Sequence, residues 1–106
     1  MPEQIILTEA AYYILLSLVV PRHGYGIMQR AEELSSGRVR LAAGTLYGAL
    51  NSLCEKEWIV PLAGTEGSRK KEYQITEKGR SVLIGELARL KELVGNGEAI
   101  LKGELQ

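Results

Sequence analysis

Aspartate does not occur in this chain of 106 residues; all 13 acidic residues are glutamate. That removes the commonest carboxylate of hydrolase and Mg²⁺ sites. One histidine, His23, and one cysteine, Cys54, cannot assemble a zinc site from nitrogen and sulfur donors. A lone cysteine also forbids an intrachain disulfide, in keeping with a reducing compartment. No long hydrophobic run is present. The longest, Ala10 to Val20, has 11 residues including one serine, against about 20 needed to span a bilayer. The opening Met1-Pro2-Glu3-Gln4 carries an acid and no cation, so no signal peptide is expected. Net charge is missing too: 13 basic and 13 acidic residues cancel, leaving no overall field to draw nucleic acid or a membrane. These absences predict a cytoplasmic protein that is not an enzyme, with no metal, no cofactor and no membrane attachment.

What is there suits one small domain. Hydrophobic residues make up 45% and charged residues 25% of the chain, close to the average for globular proteins. A domain of this size buries only about 60–65% of its unfolded surface, which leaves apolar area for a second chain to cover.

Thr8 followed by Glu9 reads as an N-cap with an acid in the first turn, opening a helix over Ala10–Val20 that stops before Pro21. All but one of its residues are apolar, so it is expected to be buried on more than one side, partly by a partner chain. His23-Gly24-Tyr25-Gly26 reads as a turn, with His23 a turn residue, and a second helix follows over about Gly26–Ser35. Arg38-Val39-Arg40-Leu41 alternates polar and apolar, which predicts a short strand. A third helix is expected over about Ala43–Glu57. Trp58–Leu62 reads as a strand with Pro61 implying an edge, 63–68 as a turn-rich loop, and Arg69–Ile75 as the returning strand with Lys71, Tyr73 and Ile75 on one face. Thr76 then caps a long helix, about Glu77 to Leu101, weakest at Gly95-Asn96-Gly97.

This order predicts a mainly α protein with a small β-hairpin: a winged helix-turn-helix plus a long C-terminal dimerisation helix. Residues 1–76 form the DNA-binding part, with the first helix also in the dimer interface, and 77–106 the dimerisation helix. On the third helix, Leu46, Ala49, Leu50 and Leu53 fall within an arc of about 100° and face the core. The opposite face carries Gly44, Gly48, Asn51, Ser52 and Glu55, flanked by Thr45 and Tyr47. Small, hydrogen-bonding residues of this kind can enter a major groove, where Asn pairs bidentately with adenine. On an isolated helix such a face would be ordinary solvated surface; its place directly before a basic hairpin points to DNA. Arg69, Lys70 and Lys71 can reach phosphates from the wing. Residues 35–76 hold six basic and four acidic side chains, a modest local excess.

The fourth helix spaces Leu83, Leu87, Leu90 and Val94 as a short heptad-like seam. Packing onto its own domain would also use such a seam; the first helix, apolar on every side and carrying Tyr12 and Leu16, favours a homodimer interface instead. Cys54 and Trp58 are expected to pack in or beside the core. If a small effector binds, Tyr12, Tyr13 and Leu16 offer the apolar and hydroxyl-bearing surface for it.

Four segments, in order, resemble the PadR family of bacterial transcriptional regulators: His23-Gly24-Tyr25-Gly26-Ile27; Gly44-Thr45-Leu46-Tyr47-Gly48-Ala49-Leu50; Leu53 through Trp58-Ile59; and Arg69-Lys70-Lys71-Glu72-Tyr73 with Ile75-Thr76-Glu77-Lys78-Gly79. The resemblance covers about residues 5–94. It implies a winged-helix homodimer bound to a double-stranded DNA operator, acting as a repressor relieved by a small, often aromatic, molecule. It also implies that Tyr47 and the wing cations touch the DNA backbone, that Asn51 and Ser52 lie where base edges are read, and that Tyr25, Gly44, Thr45 and Gly48 belong to the same surface. Two departures stand out. Gly48 occupies a position that is often proline, and the last helix has no aromatic residue where multidrug-binding members place a tryptophan. A different class, a winged-helix protein–protein module without DNA contacts, fits the zero net charge.

Overall fold

The structure is a computed structural model, and it describes residues 5–63 and 71–103. Four helices and a small antiparallel sheet follow in the order α1 (Glu9–Ser17), β1 (Arg22–His23), α2 (Gly24–Leu34), α3 (Ala43–Glu55), β2 (Ile59–Pro61), β3 (Glu72–Ile75) and α4 (Glu77–Leu101). The fold is a winged helix that is mainly α, as the residue pattern predicts.

Side-chain caps decide where three helices begin. Thr8 accepts from the Ala11 amide, Thr76 from the Gly79 amide, and His23 through Nδ1 from the Gly26 amide. The His23 cap starts α2 at Gly24, two residues before the expected start, so His23 is a helix cap as well as a turn residue. α1 ends at Ser17 rather than Val20. The Ser17 hydroxyl donates to the Ile14 carbonyl, and the Leu18 carbonyl turns away to accept the Ile75 amide of β3. α2 and α3 close with the same C-terminal device: Ser36 and Glu57 take left-handed φ values of 54° and 64°. The following amides, Gly37 and Trp58, then donate back to the carbonyls of Glu32 and Leu53, the Schellman arrangement.

The strand expected at Arg38–Leu41 is absent. The third strand of the sheet is Arg22–His23, which pairs antiparallel with β3 (Arg22 opposite Tyr73). Two observations explain the exchange. The Val39 amide is taken by the Ser35 hydroxyl, and Arg38 and Arg40 turn to Glu9 and Glu32, so the alternating segment finds no strand partner. The sheet order is β1-β3-β2, which leaves Pro61 on an edge strand as expected. Ile59 pairs with Ile75 and Pro61 with Tyr73.

The core gathers Ile14, Leu15 and Leu18 of the first helix and its exit, Ile27, Leu46, Leu50 and Leu53, Trp58 and Ile59, Tyr73 and Ile75, and Leu83. Leu46, Leu50 and Leu53 are buried and Ala49 packs against them, as the helical periodicity requires. α1 is covered on its Ile14 and Leu15 side by its own chain, with Tyr12, Tyr13 and Leu16 left half-buried. α4 runs unbroken through Gly95-Asn96-Gly97. Among the described residues no helix is long and apolar enough to cross a membrane.

Candidate nucleic-acid interface and dimer face

The first turn of α2, the outward side of α3 and the base of the wing meet around Tyr47. Gly44, Thr45, Gly48, Asn51, Ser52 and Glu55 are all exposed along α3, and Tyr47 at its flank is 48% exposed. The Tyr47 hydroxyl lies against Gly24 at the start of α2, where a Cβ would come within 2.5 Å of it. The next residue, Tyr25, is 61% exposed. Tyr47 also stands near Tyr73 of β3. Burial chiefly, with Cys54 and Tyr47 beside it, pushes the Tyr73 hydroxyl above its ordinary range. Lys71, exposed just before β3, holds its ammonium 6.0 Å from the Tyr73 ring centre. Tyr47 thus lies by the α2 start, and Lys71 by Tyr73, while Tyr25 lines a groove with Met28, Gln29, Glu32, Arg40 and Leu41.

Other expected contacts fall differently. Arg69 and Lys70 lie outside the described residues. Ser52 is exposed but borders a groove between α3 and the N-terminal segment Ile5–Thr8, together with Lys56 and Trp58. Tyr73 and Ile75 are buried on one face of β3, and Lys71 lies exposed just before the strand with its ammonium over the Tyr73 ring. Arg38 and Arg40, two of the cations counted toward the basic middle of the chain, are paired with Glu9 and Glu32. Trp58 is buried with the Lys56 ammonium 4.8 Å from its ring. Cys54 is half-buried, and that burial raises its thiol pKa while nearby Lys71 works against the rise.

The seam of α4 divides. Leu83 is 8% exposed, packed into its own chain's core, and Leu90 is half-buried. Leu87 and Val94 are 42% and 58% exposed. Beyond Leu90 every residue of the helix is exposed apart from half-buried Ala99, and Leu93, Ile100 and Leu101 add apolar surface to that stretch.

Between α1 and α4 lies a cleft of about 310 Å³, lined by Leu7, Glu9, Tyr12, Tyr13, Glu86, Arg89 and Leu90. Tyr12 and Tyr13 meet edge to face there, with ring centres 6.0 Å apart; Leu16 does not line it. At its floor Glu86 is only 2% exposed. Its carboxylate accepts two hydrogen bonds from Arg89, at 2.6 and 2.8 Å, and one from the Leu7 amide at 2.9 Å. The Arg89 hydrogen bonds, joined by the Leu7 amide, hold the Glu86 carboxyl down to about 2. Sequence reasoning marked Tyr12 and Tyr13 but not this ion pair, because the three-residue spacing of Glu86 and Arg89 is common on solvated helix faces.

Among the described residues no group of three or more His, Cys, Asp or Glu side chains could hold a metal ion.

Comparison with known proteins points one way. The sequence profile of the transcriptional regulator PadR-like family matches residues 14–84. A protein described as an uncharacterized 37.1 kDa protein in transposon TN4556 of Streptomyces fradiae is 37% identical over 75 residues, 71% of this chain and 21% of that protein. The chain thus spans about a fifth of that relative's length. Among solved structures, a PadR family transcriptional regulator from Eggerthella lenta is similar with a TM-score of 0.70 at 24% identity, over 86% of this chain and 80% of that one. A PadR-like transcription factor from Bacteroides fragilis gives 0.67 at 29% identity, over 86% and 87%.

Proposed function

The chain belongs to the PadR-like family of transcriptional regulators, and from that premise we propose that it is a cytoplasmic, homodimeric, sequence-specific DNA-binding repressor relieved by a small molecule. The observation that carries the reading is the exposed face of α3. It offers hydrogen-bonding residues of small volume, Asn51 among them, beside Tyr25, Tyr47 and Lys71. Asn51 would read a base edge in the major groove, while Tyr47 and Lys71, with Arg69 and Lys70 of the wing, would hold phosphates and set the register.

The homodimer is supported by the outer half of α4, where Leu87 and Val94 are uncovered in the single chain. A second copy of the same helix is self-complementary to such a seam. The effector is assigned to the cleft at Tyr12 and Tyr13, which neighbours that seam through Leu90. A molecule seated there can act on DNA binding only by favouring one arrangement of the two subunits.

A protein–protein module without DNA contacts is favoured by one specific observation: Arg38 and Arg40 are tied up with Glu9 and Glu32. A salt titration separates the readings. DNA binding that neutralises phosphates loses affinity steeply and linearly on a logarithmic salt scale. Asn51→Ala should then cost about 1–3 kcal/mol on the best site and little on random duplex, whereas Lys71→Ala should weaken all duplexes alike and flatten the slope. Binding to no duplex at low salt would favour the protein–protein module.

A further inference from the structure

Gly24 is buried although it is the first residue of a helix, and what covers it is the half-exposed ring of Tyr47. A Cβ at Gly24 would stand 2.5 Å from the Tyr47 hydroxyl oxygen and 2.9 Å from Cζ of the same ring. Leu46 Cδ2, at 3.4 Å, leaves ordinary room. The backbone does not itself demand glycine here, since the described glycines with positive φ are Gly37 and Gly103. Within a helix, glycine is disfavoured against alanine. Glycine at position 24 therefore serves the ring: its bare Cα is the seat on which the end of Tyr47 rests.

We infer that Gly24 is a positioning residue for DNA contact, seating the Tyr47 ring across the first turn of α2 and so fixing where the Tyr47 hydroxyl meets the DNA backbone. The inference rests on the DNA-binding reading above. An exposed tyrosine on a free helix face samples several rotamers, and each ordered on binding subtracts from affinity. The end of the Tyr47 ring instead rests on the α2 start, so its hydroxyl is presented before DNA arrives. An added methyl group at position 24 would meet the far end of a side chain that can swing into solvent. The fold therefore survives the substitution while the contact moves.

The test compares Gly24→Ala, Tyr47→Ala and the double variant in the full chain. The probe is the duplex that wild-type protein selects from a random-sequence library. Gly24→Ala is expected to melt near the wild-type temperature yet bind that duplex about ten- to a hundredfold more weakly, the size of a lost hydrogen bond to a charged group. Tyr47→Ala should lose a similar factor. The double variant should lose no more than Tyr47→Ala alone, because no ring remains to be displaced. In spectra of the free protein with labelled tyrosine rings, the Tyr47 signal should shift in Gly24→Ala while those of Tyr12 and Tyr13 stay. Multiplying losses in the double variant, or an unmoved Tyr47 signal, overturns the inference. Should Gly24→Ala alone unfold, rescue of folding by Tyr47→Ala supports the seat and failure of rescue overturns it. A library that yields no bound duplex overturns the DNA reading and the DNA half of this inference. The ring signal still decides whether Gly24 seats Tyr47.

Discussion

A side chain at Gly79 would place its Cβ 2.1 Å from the carbonyl oxygen of Trp58. That carbonyl accepts the Thr76 amide at 2.9 Å, and the Thr76 hydroxyl in turn donates to the Glu57 carbonyl and accepts the Gly79 amide. The start of α4 is therefore pressed against the exit of α3, backbone to backbone. Neither partner can swing aside, unlike the tyrosine ring over Gly24. Gly79→Ala should destabilise the protein by about 1–3 kcal/mol or more, the range for overpacking. Gly95→Ala, with nothing within 4 Å, should instead gain about 0.5–1 kcal/mol as a relieved helix glycine. Thermal melts of both variants check the pair of signs; equal shifts would mean that α4 is free to slide at its first turn.

Glu57 closes α3 in a left-handed conformation, φ 64°, that costs most side chains roughly 1 kcal/mol. The Trp58 and Glu57 amides both donate back into the helix, so the turn is held by backbone bonds that glycine would keep. Glu57→Gly should raise stability by about 0.5–1 kcal/mol, read as a shift of the urea midpoint at unchanged slope. A loss would show that the glutamate side chain itself holds this corner.

Glu86 links folding to pH in a direction its partners set. Its carboxyl titrates near 2 in the folded chain against an ordinary value of 4.5, chiefly through the Arg89 hydrogen bonds. A carboxyl with a depressed folded pKa contributes stability that is fully present above its unfolded pKa and is lost as pH falls through the folded one. The window is therefore about 4.5 down to 2. Wild-type melting temperature should fall across that interval more steeply than that of Glu86→Gln, which has no charge to lose. Parallel curves would mean that the ion pair is as strong in the unfolded chain as in the folded one.

Helical periodicity makes most of this architecture legible in the sequence, and what it misses is tertiary. Leu46, Leu50 and Leu53 repeat at helical spacing and are buried; Thr8 and Thr76 announce helix starts because their hydroxyls compete for the first free amides. Arg22–His23 is a strand of two residues, too short to carry a period and defined only by its partner β3. The alternation of Arg38–Leu41 mimics a strand, but its two arginines pair with Glu9 and Glu32 instead of lining a sheet face. On the candidate interface, the exposed side of α3 followed from the wheel, whereas the rest of Tyr47 on Gly24 joins residues that no local pattern connects. Glu86 is invisible for a similar reason: its carboxylate accepts from the Leu7 amide, far away in the chain.

In the proposed homodimer the outer half of α4 would tie assembly to DNA binding. Leu87 is 42% exposed in the single chain, one and two turns from Leu83 and Val94 on the same stripe. Burying it against a second copy contributes roughly 1.5–3 kcal/mol per side chain. Leu87→Glu would leave an unpaired carboxylate in that apolar contact, and two-fold symmetry imposes the fault twice. In the monomer the same substitution faces solvent, so the winged-helix part should keep its fold and its melting transition. The expected outcome is a folded monomer by sedimentation whose hold on a two-half-site duplex is greatly reduced, although residue 87 touches no DNA. The loss follows from geometry, since two linked half-site contacts bind far more tightly than either alone. A control duplex with a single half-site should bind wild type and variant alike. A folded Leu87→Glu dimer with undiminished affinity for the paired site would place the two-fold contact elsewhere than the α4 seam.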